Sequence, residues 1–301
     1  MDRKKIWIIM MALLAVVFVV SLGMTVYNQV QYQQAAADAE EAAQLVGLQP
    51  GTQSKPPEAS RPASAPPEGT KPQPDGAGHP SGAQPGESMP PEQLRPPEWY
   101  LLPEEARELA GLNLSALRAY NADVVGWISI PGTVLSYPLV QGPNNDYYLN
   151  RSWKKGYNPS GSVFLSSDSS RDLTDFHTIV YGHRMLNLTM FGSIKYYSSA
   201  NYWREHPSVY IVLDDTICRY DIFAAHEVAV NGIVYRLDLE KNHLEEEFLH
   251  YCTSHSVLKT GLTPKAGDRI LTLSTCTSTS SETSRWVVHG VLAREYKRTN
   301  F

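Results

Sequence analysis

Residues 6–26 read IWIIMMALLAVVFVVSLGMTV, without a single charged side chain. About 20 apolar residues suffice to cross ~30 Å of hydrocarbon, so this run can span a bilayer as a helix. Arg3, Lys4 and Lys5 precede it, and Asp38, Glu40 and Glu41 follow. The basic flank predicts that residues 1–5 form a cytoplasmic stub and that the rest of the chain is exported. The alternative is a cleaved signal peptide, whose apolar region is normally shorter and ends in small residues resembling A-x-A. Here Ser21-Leu22-Gly23-Met24 is a poor cleavage site and the apolar run continues past it. An uncleaved anchor at 6–26 is therefore the expectation.

Beyond the anchor the composition changes twice. Residues 27–49 are rich in Gln, Ala and Glu and lack Pro, which predicts that a helix continues past the membrane. Residues 50–98 hold 14 of the 21 prolines, with Met89 and Leu94 as their sizeable aliphatic side chains. Such a stretch cannot bury enough surface to offset its ordering entropy. It reads as a disordered, extended spacer with an upper reach of roughly 150 Å at ~3.1 Å per residue. Residues 99–301 are the globular part, with 19 Lys+Arg against 21 Asp+Glu. With a whole-chain net charge of −5, no basic field for nucleic acid is present.

The globular part is mainly β. Short runs of β-branched and aromatic residues at 124–130, 135–140, 162–165, 178–181, 209–213, 217–226, 269–275 and 286–293 read as strands between Gly, Pro, Asn and Asp turns. Helices are predicted over 104–120, 189–197 and 239–258. Many short strands with few helices point to a closed barrel or a sandwich and away from a βαβ sheet.

There is no phosphate-binding glycine loop, no H-E-x-x-H and no G-x-S-x-G, and the cysteines lack zinc spacing. One cysteine stands in an unusual setting. Residues 269–275 alternate as a strand that runs into Cys276, a polar stretch follows, and Arg285-Trp286-Val287-Val288 opens a second strand. A hairpin of the two would bring Cys276 and Arg285 to the same end, where a guanidinium favours the thiolate. A small core cysteine fits the same spacing. A cysteine nucleophile needs a histidine partner. His183 in Val180-Tyr181-Gly182-His183 follows a strand and a glycine and is the first candidate; His289, in mid-strand, is the rival. The other histidines have no motif around them. Cys218 and Cys252 are expected as buried free thiols.

Taken in order, Tyr181-Gly182-His183, Thr272-Leu273-Ser274-Thr275-Cys276 and Arg285-Trp286-Val287-Val288 resemble the sortase family. Upstream, 121–128, Ile130-Pro131-Gly132-Thr133 and Tyr137-Pro138-Leu139-Val140-Gln141 resemble that family's entry helix and first two strands. The resemblance covers about residues 112–295. It implies a closed eight-stranded β-barrel with an N-terminal helix and a helix inserted before the penultimate, cysteine-bearing strand. The insertion at 227–263 resembles class B, as does the lack of a second apolar segment after the last strand. Thr277 departs from an acidic residue that some class B members carry there.

The resemblance also implies a reaction. Cys276 would attack the carbonyl after a threonine in a C-terminal sorting signal, giving a thioacyl intermediate. His183 would protonate the leaving amine and deprotonate the incoming one, and Arg285 would hold the substrate backbone and the oxyanion. Asn145, Leu149 and Ser274 would shape the substrate groove. No cofactor or metal is implied. Partners would be sorting-signal-bearing surface proteins and a peptidoglycan precursor or cross-bridge amine, or a pilin lysine. Two rival readings are a secreted cysteine endopeptidase with water as acceptor and a non-enzymatic stalked adhesin.

Overall fold

A computed structural model describes residues 3–48, 101–239, 243–275 and 283–298. The Pro-rich stretch 50–98 and Cys276 lie outside the described residues. Helix α1 (Arg3–Leu45) runs unbroken through the apolar segment and the Gln/Ala-rich one, 43 residues or about 65 Å. Among the described residues it is the one helix long and apolar enough to cross a bilayer. Its two halves face different surroundings. Trp7, Leu14, Phe18 and Met24 are exposed, whereas Ala35, Ala39, Ala42 and Val46 are buried. Their spacing of four, three and four residues makes one small-residue stripe, which packs on the globular domain. Trp153 donates its indole N–H to the Asp38 carbonyl at 2.9 Å, and Asn158 Nδ2 donates to the Asp38 carboxylate at 3.1 Å. Lys154 pairs with Glu41.

Eight strands close into a barrel: β1 (Val124–Ser129), β2 (Ser136–Val140), β3 (Val163–Leu165), β4 (His177–Gly182), β5 (Ser208–Val212), β6 (Thr216–Ala229), β7 (Ile270–Thr275) and β8 (Ser284–Lys297). Their order around the barrel is β1-β2-β3-β4-β7-β8-β6-β5. The pairs β2–β3 and β4–β7 are parallel and the rest antiparallel. Closure leaves no open sheet edge. All eight sequence-predicted strands are present, with ends shifted by up to four residues.

Alternation along the strands separates two apolar layers. Ile128, Leu139, Val180, Leu271 and Val288 fill the interior. Val124, Trp127, Val140 and Phe164 point outward into a second cluster with Leu117 and the end of α1. Leu48 and Leu102, which flank the Pro-rich stretch, both belong to this second cluster. A third cluster lies beneath α4 (Glu245–His255), where Phe248, Leu249 and Cys252 meet Phe176, Phe223 and Val287.

The helices are shorter than their apolar patterns predict. The expected helix over 104–120 is a 3-10 segment, Glu104–Gly111, followed by α2 (Leu114–Arg118). Asn113 divides them because its side chain accepts from the Ala116 N–H and caps α2. Over 189–197 the chain forms a 3-10 segment, Gly192–Ser198, and a further helix follows, α3 (Ala200–Glu205). In the third case α4 occupies the middle of the expected 239–258.

Candidate functional site

Strands β4 and β7 run side by side in the same direction. Their last paired residues are Gly182 and Thr275. In each strand the next residue in sequence is one of the two candidates for chemistry, His183 after Gly182 and Cys276 after Thr275. The parallel pairing brings Gly182 and Thr275, 93 residues apart in the chain, to one end of the barrel.

His183 is held by a backbone atom. Its Nε2 lies 2.6 Å from the Leu149 carbonyl oxygen. A carbonyl only accepts, so Nε2 is the protonated nitrogen and, in the neutral ring, Nδ1 carries the lone pair. Burial lowers the His183 pKa, partly offset by the Leu149 bond, so the neutral ring predominates at neutral pH. Leu149 sits in the 3-10 turn Tyr147–Asn150. The turn approaches the ring over Gly161, whose φ is +60°. A Cβ at that position would lie 2.6 Å from the Leu149 oxygen and 2.9 Å from His183 Cδ2, so only glycine fits.

Arg285 enters from β8, opposite Val228 of β6, and its Nη1 donates to the Ser284 carbonyl at 2.8 Å. It borders a groove of about 280 Å³ that is also lined by Asn145, Leu149, Phe164, Tyr181, Val230, Tyr235, Ser274 and Thr275. The sequence-predicted Asn145, Leu149, Ser274 and Arg285 thus surround one cavity, and His183 adjoins it through Leu149. Asn145, Tyr235, Ser274 and Thr275 are each held by a hydrogen bond. Asn145 Oδ1 accepts from the Ser167 N–H at 2.8 Å. Ser274, fully buried, shares a hydrogen bond with the Tyr235 hydroxyl at 3.0 Å. Thr275 Oγ1 accepts from the Trp286 N–H at 3.1 Å, which clasps β7 to β8 at the cavity floor.

His289 is not part of this groove. It is fully buried between Thr272 and Ala224, and burial holds its pKa well below the usual histidine range. Cys218 and Cys252 are free and buried, as expected. Burial raises the Cys218 thiol to about 12, which makes it a poor nucleophile. Sequence reasoning missed Gly161 and Tyr235. The turn signal Asn158-Pro159-Ser160-Gly161 marks the first; nothing marks Tyr235, which reaches the groove from within the insertion.

The closed barrel, the helix-bearing insertion between β6 and β7, and the groove at the ends of β4, β7 and β8 define a sortase-type domain. The Sortase domain family model matches residues 128–293. Sortase B of Staphylococcus aureus is 30% identical over 193 residues, covering 64% of this chain and 78% of the relative. The S. aureus sortase B–substrate complex superimposes with a TM-score of 0.57 at 28% identity, covering 65% of this chain and 92% of that one. Sortase B complexed with triglycine gives 0.57 at 29%, covering 62% and 86%. The chain belongs to the sortase family of cell-wall transpeptidases. Within that family it is a class B sortase.

Proposed function

We propose that this chain is a membrane-anchored cysteine transpeptidase. It cleaves a C-terminal sorting signal after a threonine through a thioacyl intermediate on Cys276 and passes the acyl group to an amino group of the cell wall. The observation that carries this reading is the parallel pairing of β4 and β7 out to Gly182 and Thr275, with Arg285 on the neighbouring strand bordering the same groove.

In this mechanism the Cys276 sulfur adds to the substrate carbonyl and the carbonyl oxygen becomes an oxyanion. The planar guanidinium of Arg285 donates to that oxygen and to the adjacent substrate backbone. Collapse of the tetrahedral species breaks the C–N bond as a proton from imidazolium His183 moves onto the leaving amine. The incoming amine then adds to the thioester, His183 takes its proton, and the thiolate departs. Loss of positive charge from a buried His183 at neutral pH leaves a minor fraction of enzyme in the thiolate–imidazolium form, so turnover is slow. Asn145, Leu149 and Ser274 position the signal peptide. A relative crystallised with triglycine supports an amine acceptor of the peptidoglycan cross-bridge kind.

For localisation, α1 spans the membrane with its N-terminus inside and the barrel outside. The docked stripe begins at Ala35, about nine residues or some 14 Å of helix beyond the apolar run. The barrel is therefore carried near the membrane face by α1, and the Pro-rich stretch does not set its reach. The test is product partition with a labelled peptide carrying an internal threonine. With triglycine present as the amine, a transpeptidase gives the amide; an endopeptidase gives the free acid whatever the amine concentration, and that result would refute the proposal.

A further inference from the structure

Under α4, away from the groove, three buried side chains from three elements converge. They are His226 of β6, Cys252 of α4 and His289 of β8, and their ligand atoms all lie within 4.8 Å of one another. The surrounding hydrogen bonds decide where the protons are. His177 Nδ1 lies 2.9 Å from the Arg236 carbonyl oxygen, so Nδ1–H donates and Nε2 carries a lone pair. That Nε2 is 2.7 Å from Thr272 Oγ1, so the threonine hydroxyl donates to it. The same oxygen is 2.8 Å from His289 Nδ1 and, with its one proton already directed to His177, accepts from Nδ1–H. His289 Nε2 is left as a lone pair. It faces His226 Nε2 at 3.0 Å. His226 Nδ1 lies 3.2 Å from the Glu227 carbonyl oxygen and donates to it, so the second Nε2 is a lone pair as well.

Two imidazole lone pairs 3.0 Å apart repel each other unless a cation lies between them. A proton is a poor occupant. The rings are packed against Phe223, Phe248 and Tyr251, with no carboxylate among these neighbours to balance the charge.

We propose that this cluster is a metal site, in which His226 and His289 through Nε2 and Cys252 through Sγ bind one borderline-soft divalent transition ion such as zinc. Two imidazoles and a thiolate suit zinc and exclude the hard ions calcium and magnesium. The orientation of both rings is that of metal-bound histidines, each giving its far N–H to an oxygen, Thr272 Oγ1 or the Glu227 carbonyl. Tetrahedral zinc needs its ligand atoms about 3.3–3.6 Å apart, so the two Nε2 atoms have to part by about 0.3 Å and the Cys252 sulfur to approach by up to roughly 1 Å. The ion would take the Cys252 sulfur as thiolate, with the thiol proton released to solvent on binding. The ion would staple α4 to β6 and β8, four residues along β8 from Arg285.

The test uses the tag-free full chain in detergent micelles, with Cys276→Ser to remove the other reactive thiol, and Co2+ as the probe. One Co2+ per chain is expected, with a near-ultraviolet thiolate-to-cobalt band that Zn2+ bleaches. Cys252→Ala should abolish the band, and Thr272→Val should weaken binding by about 10–100-fold through its loss of the His289 orienter. X-ray absorption of the zinc-loaded Cys276→Ser chain should give a first shell with one sulfur and two imidazoles, a readout independent of how the other variants fold. Absence of stoichiometric Co2+ binding, a band that survives in Cys252→Ala, or a zinc shell without sulfur would each overturn the proposal.

Discussion

The Nε2 of His183 rests 2.6 Å from the carbonyl oxygen of Leu149, and Gly161 alone makes that approach possible. The catalytic histidine of the proposed mechanism is thus oriented by a turn that also lends a side chain to the substrate groove. Gly161→Ala tests the arrangement. The φ of +60° costs about 1–2 kcal/mol for a residue with a Cβ, and the new carbon would push the turn away from the ring. Steady-state kinetics should show kcat falling by about 10²-fold, as for a catalytic group misplaced by ~1 Å, with KM moving much less. An unchanged kcat would mean that the Leu149 contact does not position His183.

The two histidines that compete for the catalytic role predict opposite outcomes. Per folded molecule, His183→Ala should lose nearly all cleavage, because the amine would have to leave unprotonated. His289→Gln should retain most of it, since that ring lies under α4 and not at the groove. Arg285→Lys keeps the charge but replaces a planar fork by a point charge, and should cost about 10²–10³ in kcat. Normal turnover by His183→Ala would refute the assignment.

Stability should fall on the acid side. His177 is fully buried and burial lowers its pKa to about 4, below the ordinary 6.5 of the unfolded chain. The unfolded state therefore binds more protons below 6.5. The stability this histidine contributes is complete above pH 6.5 and is lost progressively as pH falls towards 4, by about 3 kcal/mol. His183 shifts in the same direction. Denaturant titrations at about pH 7 and about pH 5 should show the loss, and His177→Gln should flatten the pH slope. Equal stability at both values would contradict neutral buried histidines.

The docking of α1 bears on how far the enzyme reaches from the membrane. Energy transfer from a dye on the barrel to an acceptor lipid should report the same separation before and after deletion of residues 52–96. Ala39→Glu places a carboxylate in the buried stripe and should increase the separation. A separation that changes on deletion but not in Ala39→Glu would assign the reach to the Pro-rich stretch instead.

The strands were legible because their β-branched runs are short and sharply bounded, and the gathering of Asn145, Leu149, Ser274 and Arg285 around one cavity because the family resemblance named them. The helices were less so. The pattern over 104–120 ignores the competing side-chain cap of Asn113, and that over 239–258 extends past the α4 turns because Leu239 and Leu258 are buried without being helical. The docking of α1 depends on an alanine stripe that reads as ordinary helix composition. The His226–Cys252–His289 convergence could not be seen at all, since three elements far apart in sequence bring it together.

The central claim is a covalent bond from Cys276 to the substrate. Intact-mass spectrometry of the full chain, incubated in detergent with a pool of peptides carrying an internal threonine and without amine, tests it most directly. The account predicts an adduct equal to the peptide fragment ending at the threonine, mapped to Cys276, released by hydroxylamine and absent in Cys276→Ala. Cleavage without an adduct that persists in Cys276→Ala, or an adduct on Cys218 or Cys252, would contradict it.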